Sequence, residues 1–258
     1  MMMQTLRDRG IGFKAGSDSV LEDRPILVMI HGAGGDSQVW QNQTHLLKGS
    51  LNTLAVDLPG HGASVDGAKS DLDEYAKWLI ESLEAIFYEP IFLMGHSMGG
   101  AIVQKAALLA PHLMKGIILV GTGPRLQVAP MFLEGLQKDF GSMVDNIIGF
   151  AYASGTDALL IKEGANLMKK AGQDMVYGDF SACNRFDVRS EVGKISLPCL
   201  IICGDEDKLT PPALSKKLNE SIEGSSFEIL SSAGHMVMIE NYKAFNDCVL
   251  GFILKTGA

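Results

Sequence analysis

Residues 95–99 read Gly-His-Ser-Met-Gly, a G-x-S-x-G pattern that could present a nucleophilic serine. The pattern directly follows an apolar run at 91–94 and directly precedes an apolar helical pattern at 98–110. In that setting it predicts a sharp strand-to-helix turn that raises Ser97 above the end of the strand, where backbone amides favour a developing negative charge. The alternative is an ordinary glycine-rich turn whose serine only caps the helix.

A base must assist this serine, because an alcohol is a weak nucleophile at neutral pH. Of the six histidines, we expect His235 to serve, since it lies in a loop between a weak strand-like run at 227–230 and the C-terminal helical pattern. Such a loop falls at the carboxyl edge of a parallel sheet, where α/β proteins place their sites. The other five histidines lie on helical patterns or in other glycine-rich turns.

An acid that orients the histidine is expected in the loop 204–209, which follows an apolar run at 199–203. Three carboxylates in this loop compete for the role: Asp205, Glu206 and Asp207. The pair that begins with Pro211 fits the start of the next helix, with Thr210 as a possible N-cap. The residues of the loop alone leave the choice of acid open.

Two backbone N–H groups would have to bind the oxyanion that forms when the serine attacks. One is the amide of Met98, which directly follows the serine. The second is expected from residues 31–35, His-Gly-Ala-Gly-Gly, after the apolar run Ile26–Ile30, with Ala33 as the natural donor. A phosphate-binding turn is the alternative for this segment, but its G-x-G-x-x-G pattern fails because Ser37 replaces the third glycine.

These candidates need a scaffold of strands and helices that brings them together. Continuous apolar runs predict buried strands at Ile26–Ile30, 53–57, 91–94, 117–120 and 199–203, and an edge strand at 227–230. Helical patterns lie between them, at 72–87 and 98–110, and at the C-terminus. This alternation predicts an α/β fold with a mostly parallel, doubly wound sheet.

The stretch 124–191 interrupts the alternation. It has no clear strand and shows helical patterns at 131–140, 143–152 and 157–170. We therefore expect a core formed by residues 1–123 and 192–258, with a helical cap at 124–191 inserted in it. Residues 179–187 are candidates to line the entrance of a site under this cap, without a role that the sequence assigns.

Composition excludes several classes of function. The 258 residues are 47% hydrophobic, as in globular proteins, and the net charge of −8 excludes a sequence-independent nucleic-acid binder. No signal peptide or apolar run long enough to span a membrane is apparent, so we expect a cytoplasmic protein. The four cysteines have no metal-binding spacing and are expected to be reduced thiols. Neither a metal nor a cofactor is expected, and the oligomeric state is not indicated.

The motifs together resemble those of the α/β-hydrolase superfamily, and within it the small serine esterases with a helical cap. The matching segments are His31 to Gly34, residues 57–62 (Asp-Leu-Pro-Gly-His-Gly), residues 95–99, residues 204–207 with Pro211, and residues 234–235. The resemblance implies a triad of Ser97, Asp207 and His235, in the chain order of that fold, and selects Asp207 over Asp205. It also implies a supporting motif of His31, Gly32, Gly34, Gly95 and Gly99.

The resemblance implies hydrolysis of a small-molecule carboxylic ester through an acyl-enzyme, without a cofactor. Methionines in the cap and beside the site favour an adaptable apolar pocket and short- to medium-chain acyl groups, and the alternative is that most of them are only buried in the core of the cap. They are Met98, Met131, Met143, Met168, Met175, Met236 and Met238.

Three alternatives remain open. An acyl thioesterase for coenzyme A or carrier-bound substrates would have basic residues at the rim, such as Arg125, Lys169 or Lys170. A cofactorless C–C hydrolase, lyase or perhydrolase would share the motifs. A weakly catalytic receptor of the same fold is the third.

Overall fold

The computed structural model describes residues 2–257, which contain a seven-stranded sheet of order β1-β3-β2-β4-β5-β6-β7. The strands are β1 (Phe13–Ala15), β2 (Ile26–Ile30), β3 (Asn52–Val56), β4 (Ile91–His96), β5 (Met114–Val120), β6 (Cys199–Gly204) and β7 (Ser226–Leu230). All neighbouring strands pair in parallel except β1, which runs antiparallel to β3 at the edge. The predicted α/β fold with a mostly parallel sheet is confirmed.

Helices connect these strands and cover the sheet. They are α1 (Met2–Asp8), α2 (Gln41–Leu46), α3 (Leu72–Ile86), α4 (Met98–Leu109), α5 (Pro130–Lys138), α6 (Phe140–Ala151), α7 (Ala158–Ala171), α8 (Gln173–Arg185), α9 (Pro212–Ser221), α10 (Val237–Glu240) and α11 (Tyr242–Thr256). None of the helices within residues 2–257 combines the length and the apolar character that crossing a membrane requires.

The strands are apolar throughout because both faces of the sheet are covered. In β2, Val28 and Ile30 pack into the cluster beneath α3 and α4, whereas Leu27 and Met29 pack with α11 on the opposite face. Alternate residues of a strand point to opposite faces, so a doubly covered strand must be apolar at every position. This explains why the continuous runs predicted the strands well.

The carboxyl ends of the central strands lie at one edge of the sheet. Ile30 of β2 pairs with Gly95 of β4, and His96 of β4 pairs with Val120 of β5. Val120 in turn pairs with Ile202 of β6. The loops that leave β2, β4, β6 and β7 therefore begin at this edge. These are the loops that carry the predicted site residues.

The six predicted strands and the three predicted core helices are present within a few residues of their expected bounds. Strand β1 was missed, because it has three residues, lies at the edge and is only partly buried.

Four helices, α5 to α8, lie between β5 and β6 and share a hydrophobic cluster of their own. Three of them match the predicted helical patterns. Helix α8 was missed because its residues are mostly polar or small, so its sequence lacks a clear apolar stripe. We use the word cap for residues 124–191, and the division of the chain into cap and core stays a prediction.

Candidate active site

Ser97 lies between β4 and α4 in a backbone conformation that non-glycine residues rarely adopt, with φ 53° and ψ −115°. Such conformations cost about 1–3 kcal/mol and persist only where the surroundings impose them. Here the Ser97 N–H donates to the Val120 carbonyl at 2.9 Å, and the Thr122 hydroxyl donates to the Ser97 carbonyl at 2.9 Å. A Cβ on Gly99 would lie 2.5 Å from the Ile30 carbonyl oxygen, so the turn requires glycine there.

Asp207 and His235 come together at the same edge of the sheet. The Nδ1 atom of His235 lies 2.9 Å from Oδ2 of Asp207, and both side chains are buried. Burial alone would raise the pKa of Asp207. The charge and hydrogen bond of His235 and the hydrogen bonds from Thr210 outweigh it and hold that pKa below its usual value. Asp207 is therefore an ionised acceptor that can orient the His235 ring.

Thr210 contacts this pair, and its predicted role as a helix N-cap is wrong. Helix α9 begins at Pro212, and the N-cap position is occupied by Pro211, which makes no side-chain cap. The Thr210 hydroxyl instead donates to Oδ2 of Asp207 at 2.8 Å and lies 3.0 Å from Nδ1 of His235. Its N–H donates to Oδ1 of Asp207 at 2.8 Å. The threonine is thus part of the site.

His96 holds the backbone of the loop that carries His235. Its Nε2 atom lies 3.0 Å from the His235 carbonyl oxygen, which can only accept, so the proton resides on Nε2. Burial, followed by the nearby charge of His235, lowers the pKa of His96 to about 3 and keeps the ring neutral. The cap contributes as well, because the Ala151 carbonyl accepts from His235 N–H at 2.7 Å.

The loop 31–35 approaches Ser97 closely, because a Cβ on Gly32 would lie 3.2 Å from the Cβ of Ser97. His31 shapes this loop: its Nδ1 lies 2.9 Å from the Gly32 carbonyl oxygen, and its Nε2 accepts from Leu58 N–H at 3.0 Å. Burial, followed by the charge of His61, lowers the pKa of His31 to about 4. Ala33, between Gly32 and Gly34, is half-buried and faces the same cavity as Ser97.

A cavity of about 390 Å³ lies between this edge of the sheet and the cap, and it is lined by Ala33, Ser97 and His235. Apolar side chains of the cap form much of its wall, among them Leu126, Phe132, Ile147, Leu160, Met168 and Phe180. Among the described residues that line it, none is a lysine or an arginine, and Glu163 is the one carboxylate. The cavity can hold an apolar group beside Ser97.

Two of the seven methionines considered contribute to the wall of the cavity. Met168 and Met236 line the cavity, whereas Met98 and Met238 are buried in the two core clusters and Met131 is exposed. Five of the seven methionines considered, Met98, Met131, Met143, Met175 and Met238, thus do not line the cavity.

The basic residues considered for a thioesterase rim do not line the cavity. Arg125 lies 3.9 Å from the Asp187 carboxylate, and Lys169 lies 2.6 Å from the Asp145 carboxylate. Their charges are therefore paired outside the cavity.

The segment 179–187, which was expected to line the entrance of the site, contributes Asp179, whose role the sequence did not assign. Asp179 belongs to α8, and its carboxylate lies 2.8 Å from both the Gly34 amide nitrogen and Nε2 of His61. Phe180 and Cys183 of the same segment line the cavity. No group of three metal-binding side chains occurs within residues 2–257.

Comparison with known proteins shows the family to which the chain belongs. The sequence model described as the Alpha/beta hydrolase family matches residues 27–247. The chain belongs to the alpha/beta hydrolase family. Esterases are among the relatives of this hydrolase.

Three relatives illustrate the likeness. A solved structure of a thermophilic esterase is 32% identical, with a TM-score of 0.85, over 96% of this hydrolase and 94% of that chain. A pimeloyl-(acyl-carrier protein) methyl ester esterase of Photobacterium profundum is 28% identical, over 88% of this hydrolase and 94% of that protein. A polyketide synthase of Burkholderia thailandensis is 29% identical over 90% of this hydrolase. The hydrolase spans only 12% of the length of that synthase.

Proposed function

We propose that this hydrolase cleaves neutral carboxylic esters of short- to medium-chain acyl groups, with Ser97 as the nucleophile, His235 as the base and Asp207 as the acid that orients it. One observation carries the proposal: the strained serine and the buried Asp207–His235 pair meet at one apolar cavity. A nucleophile, a base and an orienting acid are the groups that acyl transfer requires.

The reaction begins when Oγ of Ser97 attacks the ester carbonyl carbon and its proton passes to Nε2 of His235. The amides of Ala33 and Met98 donate to the oxyanion of the tetrahedral intermediate. As the intermediate collapses, the bond from carbon to the alcohol oxygen breaks, and His235 returns the proton to the leaving alcohol. Water then attacks the acyl-serine by the same steps, which releases the carboxylic acid and restores Ser97.

Asp207 keeps His235 in the productive tautomer. Because its carboxylate accepts at Nδ1, the unprotonated nitrogen of neutral His235 is Nε2, the one that must accept the serine proton. The same carboxylate stabilises the imidazolium that forms during each half-reaction. No step needs a metal or an organic cofactor.

The cavity supports a neutral acyl group rather than a charged one. Its wall is largely apolar, and its one carboxylate, Glu163, would repel an anionic acyl terminus. An acyl thioesterase is less well supported, because a coenzyme A substrate carries phosphates and Arg125 and Lys169 are paired elsewhere. The cap, residues 124–191, serves in this proposal as the wall that selects the acyl chain.

The buried thiols of Cys183, Cys199 and Cys203 form no disulfide in the structure. This is compatible with the reducing environment of the cytoplasm, where we propose the protein acts.

A panel of p-nitrophenyl esters of increasing acyl length, with matched thioesters, tests the proposal on the wild type and on Ser97→Ala. We expect the highest kcat/KM on oxygen esters of short or medium chains, and a loss of at least about 1,000-fold in Ser97→Ala. Undiminished hydrolysis by Ser97→Ala would contradict the role of the serine, and a preference for coenzyme A thioesters would contradict the proposed substrate class.

A further inference from the structure

A buried carboxylate of α8 reaches across from the cap to the loop beside Ser97. Asp179 is 2% exposed, and its Oδ2 atom accepts from the Gly34 N–H at 2.8 Å. Gly34 directly follows Ala33, the proposed oxyanion donor, so this bond fixes one end of the peptide segment that carries that donor. The other end is fixed through Gly32, whose carbonyl oxygen lies 2.9 Å from Nδ1 of His31.

The same carboxylate oxygen lies 2.8 Å from Nε2 of His61, a ring that is also buried. The other ring nitrogen of His61, Nδ1, lies 3.0 Å from the Pro59 carbonyl oxygen, which can only accept a proton donor. Both nitrogens of His61 therefore face acceptors, an arrangement that favours the doubly protonated ring. Burial alone would lower the pKa of His61, but the hydrogen bond and charge of Asp179 outweigh it and raise the pKa.

The neighbouring ring of His31 stays neutral, although the centres of the two rings are 4.9 Å apart. Its Nε2 atom accepts from the Leu58 N–H, so this nitrogen cannot be protonated and the ring cannot become positively charged. The positive charge thus resides on His61, next to Asp179. This matters for catalysis, because an unpaired carboxylate beside Gly34 would oppose the negative charge that forms on the substrate oxygen.

We propose that Asp179 is a positioning residue of the oxyanion hole: it holds the Gly34 amide and thereby the N–H of Ala33, while His61 neutralises its charge. The inference rests on the proposed function. The cap is then more than the wall of the acyl site, because α8 supplies a bond that shapes the catalytic loop of the core. Asp179 itself touches no substrate in this account.

Three substitutions separate the contributions of Asp179. In Asp179→Ala, the Gly34 amide loses its acceptor. In Asp179→Asn, an amide oxygen in the place of Oδ2 can still accept from the Gly34 N–H and from the Nε2–H of His61, while the negative charge is lost. In Asp179→Glu, the charge that pairs with His61 is kept, but the longer side chain moves the carboxylate away from Gly34. Asp174→Ala is the matched control, because Asp174 is an exposed aspartate in the first turn of the same helix.

The measurements are kcat and KM for one p-nitrophenyl ester, and the affinity for a trifluoromethyl ketone that forms a tetrahedral adduct with the serine. For Asp179→Ala and Asp179→Glu we expect kcat to fall about 10- to 100-fold, with KM changed less than about threefold. The affinity for the ketone should fall in parallel. Asp179→Asn should recover most of the loss, and Asp174→Ala should match the wild type.

A residue that only stabilised the fold would give another result: a lower melting temperature, with the kcat of the folded protein unchanged. That outcome in Asp179→Ala, or in Asp179→Glu if the alanine variant does not fold, overturns the inference. Asp179→Asn with a kcat as low as that of Asp179→Ala overturns it too. Ester hydrolysis that survives Ser97→Ala refutes the proposed function instead, so the two failures can be distinguished.

Discussion

The strained backbone of Ser97 should cost the protein stability that a glycine would restore. The φ of 53° and ψ of −115° lie in a region that glycine adopts freely and that costs other residues about 1–3 kcal/mol. Glycine also loses about 0.4–1 kcal/mol more conformational entropy on folding than alanine does. The difference predicts that Ser97→Gly is more stable than Ser97→Ala by about 1–2 kcal/mol.

Thermal unfolding of the two variants measures this difference. For a domain of this size, 1 kcal/mol corresponds to about 2–4 °C in Tm, so Ser97→Gly should melt about 2–8 °C above Ser97→Ala. In both variants the N–H of residue 97 can still donate to the Val120 carbonyl, and its carbonyl can still accept from the Thr122 hydroxyl. Both variants lack the serine hydroxyl, so strain is the main difference between them.

Ser232 supplies the control for this experiment. It is the other described non-glycine residue with a positive φ, 57°, and it is exposed outside the cavity. Ser232→Gly should also raise Tm, while its ester hydrolysis stays at the wild-type rate. A Ser97→Gly variant that melts at or below Ser97→Ala would refute the reasoning that the turn is strained.

Three further predictions concern the acid, its hydroxyl partner and the acyl site. Thr210→Val removes the hydroxyl donor to Asp207, a bond to a charged group worth about 1.5–3 kcal/mol, so kcat/KM should fall about 10-fold or more; Thr210→Ser should retain the activity, and a wild-type rate in Thr210→Val would contradict its role. The lowered pKa of Asp207 contributes stability that is present above the ordinary value of 3.8 and is lost as the pH falls through the lower folded value. Unfolding in urea, measured from pH 6 down through the folded pKa of Asp207, should therefore show that the free energy of unfolding falls more steeply with pH in the wild type than in Asp207→Asn. An equal pH dependence in the two proteins would contradict this prediction. Glu163→Lys should raise the kcat/KM for esters with an acyl-terminal carboxylate about fivefold relative to neutral esters, since about 1 kcal/mol separates repulsion from attraction at a solvated charge; an unchanged ratio would exclude Glu163 from the acyl site.

The fold could be predicted from the sequence because a doubly covered parallel sheet imposes a strong pattern. Strands such as β2 are apolar at every position, and the glycine-rich turns follow them directly. The motifs at 204–207 and 234–235 each follow a predicted strand, which predicted that Asp207 and His235 lie at the same edge of the sheet. In the structure their side chains contact each other there.

The roles of Asp179 and His96, which the sequence did not assign, depend on contacts between distant parts of the chain. The Asp179 carboxylate meets the Gly34 amide across 145 positions, and His96 meets the His235 carbonyl across 139. The local sequence around a residue does not indicate which distant residue it contacts. Helix α8 could not be predicted either, because its sequence lacks an apolar stripe. Thr210 was misread for a related reason: a threonine before a proline pair fits a helix cap locally, whereas its hydroxyl is engaged by Asp207.

The central claim is that Ser97 is a nucleophile activated by His235 and Asp207. Its most direct test is the intact mass of the protein after incubation with a fluorophosphonate, which reacts with activated serines. We predict that the wild type gains a single adduct that peptide mapping assigns to Ser97, that Ser97→Ala gains none, and that His235→Ala reacts far more slowly. An adduct that persists in Ser97→Ala, or a wild-type protein that remains unlabelled, would contradict the account.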